Sequence, residues 1–146
     1  MKLIGNIIIM VVVAFAGRFL YQKFVPVEKE AELPPGVEIG SRQHLLMVAA
    51  EINTTLPRKI DNDVTLTRVV GRERQLIYQG ELANLSGKQV NSARFIAAVT
   101  PYIRKHACGN PKMKVFWKHD ITATYRFIGN DQFGIGEVSV PAADCA

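Results

Sequence analysis

The run from Leu3 to Gly17, LIGNIIIMVVVAFAG, constrains this chain more than any other stretch. It holds fifteen residues with no charge and one polar amide, Asn6. Spanning the hydrocarbon core of a bilayer takes about 20 apolar residues, so the run alone is short. Extended to Val25 it gains Phe19, Leu20, Tyr21, Phe24 and Val25, together with Arg18, Gln22 and Lys23. Long basic side chains near a helix end lay their stems along lipid and place their heads at the interface, where tyrosine also settles. Residues 1–25 are therefore expected to form an uncleaved transmembrane anchor in contact with membrane lipid. Arg18, Tyr21 and Lys23 would sit at the membrane interface, and the helix offers a route to oligomers. The competing reading is a cleaved signal peptide, with Lys2 as a minimal positive region and Ala14-Phe15-Ala16 as the small-x-small cleavage site. No cysteine directly follows the run, which excludes a lipoprotein. Met10 stands where a prepilin leader counted from Gly5 would need glutamate.

The two cysteines give the anchor a direction. Cys108 and Cys145 form an even set in a chain with an export-type segment, which reads as one disulfide. Such a bond needs an oxidising space. The expected placement is a single pass through the inner membrane, N-terminus inside, with the C-terminal domain periplasmic or extracellular. Residues 26–40 (PVEKEAELPPGVEIG) read as a tether: three prolines and two glycines break regular structure, and Glu28, Glu30, Glu32 and Glu38 against Lys29 keep it solvated.

Residues 41–146 read as one small α+β domain. Ser41 is a good helix cap, and Leu45, Leu46, Val48, Ala49, Ile52 and Leu56 follow at helical spacing until Pro57 stops the helix near Thr55. Val64–Val70 and Gln75–Leu82 alternate as strands around a charged turn at 71–74, with Gly80 marking a bulge or a close backbone contact. A long helix runs from Val90 to about Cys108, where Pro101 predicts a kink or break. Asn110-Pro111 starts a short helix with Met113, Phe116 and Trp117 turned to the core. Ile121–Phe127 and Phe133–Val140 make a second hairpin. The apolar phase of its last strand slips between Ile135 and Val138, which predicts a bulge beside Gly134 and Gly136. The expected fold is a four-stranded antiparallel sheet of two hairpins, covered by two to three helices.

Chemistry is sparse. His44, His106 and His119 show no metal-ligand spacing and are expected at surfaces or helix ends. No nucleophile elbow, phosphate loop or dinucleotide fingerprint occurs. Asp61-Asn62-Asp63 precedes a strand and lacks the glycine of a calcium loop, so it reads as turn residues. No catalytic residue, metal or cofactor is expected. The domain carries a formal +5, too mild for a nucleic-acid binder. One basic cluster, Arg104, Lys105, Lys112, Lys114 and Lys118 around Trp117, is the candidate contact face, although a solvated helix face over a buried tryptophan explains it too.

Several residues together resemble a group of small bacterial envelope proteins, each an anchor or signal peptide followed by a disulfide-closed α+β domain. They are Glu51, Asn53, Leu56 and Pro57 at a helix end, Asp63, Thr65 and Leu66 at a strand start, and Tyr78. Cys108, Asn110, Pro111, Met113, Tyr125 and Asp144-Cys145 complete the set. The resemblance implies a bacterial, extracytoplasmic domain and transfers no catalytic residue. The expected role is a membrane-anchored interaction module with a protein partner in the envelope, an accessory subunit of a secretion, transport or motor complex. The alternatives are an inhibitor or immunity protein against an exported enzyme and, last, an envelope enzyme using Asp61, Asp63 or a histidine.

Overall fold

The computed structural model describes residues 33–60 and 62–145. The expected anchor (1–25), its interface residues Arg18, Tyr21 and Lys23, residues 26–32 of the tether and Asp61 lie outside the described residues. Among the described residues no helix is long and apolar enough to cross a membrane.

Ser41 caps α1 (Arg42–Asn53) as expected, its Oγ accepting from the His44 backbone N–H at 3.2 Å. Leu45, Val48, Ala49 and Ile52 fall on one stripe and are buried. A two-residue strand β1 (Arg58–Lys59) follows, then β2 (Val64–Arg72) and β3 (Gln75–Leu82). Asn91 caps α2 (Ser92–Gly109), which buries Phe95, Val99, Ile103 and Ala107. The break expected at Pro101 does not occur: α2 continues through it, with the Thr100 hydroxyl donating to the Ile96 carbonyl at 2.6 Å. A 3-10 turn at Pro111–Met113 leads into α3 (Lys114–Lys118). The chain ends in β4 (Thr122–Gly129), β5 (Gly134–Val140) and a 3-10 turn at Ala142–Cys145.

The expected four-stranded antiparallel sheet is corrected. The sheet has five strands in the order β1-β2-β3-β4-β5, and β3 pairs with β4 in parallel, while the other pairs are antiparallel. Strand β1 escapes sequence reading because two exposed basic residues carry no periodicity. The parallel pair has a topological cause. The connection from β3 to β4 contains one long helix and one of five residues. Two helices of equal length would return the chain to the far end of the sheet. A single long traverse returns it to the end where β3 began, so β4 must run alongside β3.

The bulge expected in β5 is present. Phe127 faces Gly136 and Ile128 faces Gly134, leaving Ile135 unpaired. A side chain at Gly136 would strike Ile96 of α2, at 2.7 Å from its Cγ1. A second bulge lies in β2, where Thr67 is skipped between Leu66 opposite Gly80 and Arg68 opposite Gln79. Gly80 thus stands across from a bulge on the neighbouring strand.

All three helices join one apolar core with one sheet face, α1 over β2 and α2 over β5. Gly71 of β2 allows the closest approach. A Cβ there would lie 2.1 Å from the Leu45 carbonyl oxygen, so the α1 backbone rests on the strand itself. Tyr78 and Tyr125 are register partners across the parallel junction and stack with ring centroids 5.7 Å apart. Both are fully buried, which pushes both phenols up. The opposite sheet face is polar and laced by side-chain bonds. Gln75 Nε2 donates to Thr124 Oγ1 at 2.8 Å, Thr124 meets Ser139 at 2.9 Å, and Arg126 Nε donates to Glu137 Oε1 at 2.6 Å.

Candidate functional site: the basic corner and the α1 junction

The candidate contact residues gather where α2 ends, α3 begins and the C-terminal turn returns. Asn110 builds the bend, its Oδ1 accepting from the Lys112 N–H at 3.0 Å. Met113 and Phe116 point into the core, and the Ile121 N–H bonds the Phe116 carbonyl at 2.8 Å, which ties α3 to the start of β4. This packing leaves Lys114 and Lys118 exposed and Lys112 half-buried. Trp117 lies half-buried beside Phe116, with ring centroids 6.2 Å apart. Its Nε1 is buried without a hydrogen-bond partner among the described residues.

The expected disulfide forms between Cys108 and Cys145. It draws the last turn onto α2 and α3, and it engages one member of the basic cluster. Arg104 Nε lies 3.3 Å from Asp144 Oδ2. Arg104 therefore braces the C-terminal turn, and Lys105, Lys114 and Lys118 are exposed around it.

A second cluster lies where the chain enters α1, and sequence reading did not assemble it. His44 is not a surface residue: it is only 4% exposed. Its Nδ1 accepts from the Gly40 N–H at 2.9 Å. Gly40, at φ +84, takes a left-handed conformation that suits glycine, and its carbonyl accepts from the Arg74 N–H at 2.9 Å. The Arg74 Nη1 donates to the carbonyls of Ile39 (3.2 Å) and His119 (2.9 Å). Glu73 Oε2 accepts from the Arg42 N–H at 2.7 Å, placing a carboxylate at the N-terminus of α1. Burial, with His119 as the nearby charge, holds the His44 pKa below the ordinary 6.5. His106 stays apart, in the last turn of α2.

Three further side chains have structural duties. Asn53 donates to the Val69 carbonyl at 2.8 Å and accepts from the Val69 N–H at 2.9 Å, so it takes the place of a neighbouring strand on the outer edge of β2. Asp131 accepts from Ser86 Oγ (2.6 Å) and from the N–H groups of Gly87 (2.8 Å), Lys88 (3.1 Å) and Phe133 (3.2 Å). These bonds, the Ser86 hydroxyl foremost, hold its carboxyl well below the usual carboxylate range. Asp63 serves as a turn residue, its carboxylate accepting from the Asn84 amide. Sequence reading also missed the large apolar side chains left exposed, Leu46, Met47, Tyr102 and Phe133. Among the described residues no group of three potential ligands could hold a metal.

No family model and no curated protein matches the sequence. Solved structures do share the fold. A Pseudomonas aeruginosa protein described as secreted superposes with a TM-score of 0.61 at 18% identity, covering 76% of this chain and all of that one (100%). The pilotin of the Vibrio vulnificus type II secretion system gives 0.56 at 10% identity, over 72% of this chain and 91% of its own. The Vibrio cholerae type II secretion pilotin AspS gives 0.50 at 10% identity, over 71% and 94%. At these identities the likeness is one of fold.

Proposed function

We propose that this chain is an extracytoplasmic accessory protein of an envelope assembly of the secretion type, whose domain binds a protein partner. The observation that carries the reading is the fold shared with two secretion-system pilotins over 91% and 94% of their lengths. The Cys108–Cys145 bond supports it, because such bonds persist in oxidising compartments. In this reading residues 1–25 anchor the chain in the inner membrane and the following segment spaces the domain from it. Lys105, Lys114 and Lys118 offer charge to an acidic partner surface, and the half-buried Trp117 gives that contact an aromatic centre. The role is one of binding and positioning, with no catalytic step.

Site-specific photo-crosslinking in intact membranes tests this. A crosslinker at position 114 or 118 is expected to trap one partner, a component of an envelope assembly, and the double variant K114E/K118E to reduce that product at least about tenfold with folding unchanged. Crosslinking of the chain only to itself, or an undiminished product in the variant, would refute the reading.

A further inference from the structure

The junction at the start of α1 is built around a hydrogen bond that one proton abolishes. A backbone N–H can only donate, so His44 Nδ1, 2.9 Å from the Gly40 nitrogen, must carry a lone pair. The imidazole is therefore neutral, with its proton on Nε2. Protonation at Nδ1 would set an N–H against an N–H and add a cation beside Arg74 and His119.

We propose that His44 is a pH-responsive latch that clasps residues 33–40 to the domain while neutral and releases them when Nδ1 takes up a proton. The segment has few other holds. One of its turns is internal, Val37 N–H to the Pro34 carbonyl, and the other, Ser41 N–H to the Glu38 carbonyl, spans its junction with the α1 cap. It meets the domain through Gly40, through the Arg74 contact to the Ile39 carbonyl, and through the half-buried Ile39 side chain against the core. Both backbone groups of Gly40 are engaged, one by His44 and one by Arg74. Losing the first weakens the closure at its centre.

Of the charged and titratable groups around this junction, His119, Arg74 and Arg42 oppose a second positive charge, Glu73 is already committed, and Asp120 points to solvent. From the end of α3 comes His119, followed by exposed Asp120. From the β2–β3 turn come Arg74, spread over two carbonyls, and Glu73, which accepts from Arg42 N–H and lies 4.0 Å from Arg74. From α1 itself comes exposed Arg42. Because folding favours the neutral ring, the latch is closed above the ordinary histidine range and opens as pH falls below it. A domain facing the exterior experiences such shifts. Release of eight residues would lengthen the connection to the N-terminal segment by up to about 25 Å. The latch is independent of the proposed anchor, and only the gain in reach rests on it.

The test is nuclear magnetic resonance on the full-length, ¹⁵N-labelled chain between pH 7.5 and 5. The His44 ring is expected as the Nε2–H tautomer at pH 7.5, titrating below 6.5. The hydrogen-exchange protection factor of the Gly40 amide should fall about tenfold along the same curve, while that of Val99 in the core of α2 holds. In His44→Gln, whose amide oxygen can accept without titrating, Gly40 protection should not vary with pH. In His119→Gln the His44 midpoint should move up towards 6.5. An Nδ1–H tautomer in the wild-type chain overturns the proposal whatever the variants do. So does Gly40 protection that ignores His44 titration, or an unchanged pH response in His44→Gln.

Discussion

Replacing Gly71 with alanine adds one methyl group at the point where a helix backbone rests on a strand. The new Cβ would lie 2.1 Å from the Leu45 oxygen, 2.3 Å from the Leu45 carbonyl carbon and 2.7 Å from the Leu46 nitrogen. None of these atoms can rotate away, because all belong to the backbone of α1. The helix must retreat by about 1 Å, a displacement that forfeits a large part of the dispersion attraction across the contact. Overpacking of this kind costs about 1–3 kcal/mol. Retreat also stretches the paired bonds between Asn53 and Val69, which contribute roughly 1 kcal/mol each. The expected loss is about 3–4 kcal/mol, a large share of the ~5–15 kcal/mol by which domains of this size are stable. Urea unfolding followed by the fluorescence of Trp117, the single tryptophan, reads this directly. With a slope near 1–1.5 kcal/mol per molar, the midpoint should fall by roughly 2–4 M. The control is Gly134→Ala, where a Cβ would meet nothing within 4 Å, and there the shift should stay within about 0.5 kcal/mol. A Gly71→Ala midpoint within about 0.5 M of wild type would refute the argument. So would a large shift with the Val69 amide still fully protected from exchange.

Two further outcomes follow from the disulfide and from Asp131. Removing the Cys108–Cys145 bond, which spans 37 residues, in the double variant C108A/C145A is expected to cost about 3–4 kcal/mol by loop entropy; a urea-unfolding loss below about 1 kcal/mol would count against a braced C-terminal turn. Asp131 is held ionised in the fold, so its contribution is present above the ordinary carboxyl value of 3.8 and lost as pH falls below it. Wild type should therefore exceed Asp131→Asn in stability at pH 6, and the gap should narrow between pH 4 and 2. A gap that is constant across that range would remove the carboxylate from the account.

Much of this fold is local, and that part was legible. Ser41 and Asn91 cap helices because their short oxygens reach the first free N–H groups. Strand β3 has the limits its alternation predicts, and the slipped phase of β5 marks its bulge. The disulfide followed from two cysteines and an export-type segment. The roles of Asn53 and His44 escape sequence reading. Both look like ordinary polar helix residues: Asn53 meets Val69 sixteen residues away, while His44 meets Gly40, only four residues back, through a left-handed turn that the residue pattern does not announce. Of the basic cluster, sequence placed the cations in one region, but only the folded chain assigns Arg104 to Asp144.

The sequence by itself determined most of the elements, because capping, alternation and helical stripes are short-range properties of neighbouring residues. It also determined the covalent staple. The tertiary structure alone decided that β3 and β4 run parallel, that β1 joins the sheet, and that Arg74 reaches the Gly40–His44 turn. Those outcomes depend on how far each helix carries the chain before it turns back. That distance sets which backbone groups meet, and it is a property of the whole path, not of any window of residues.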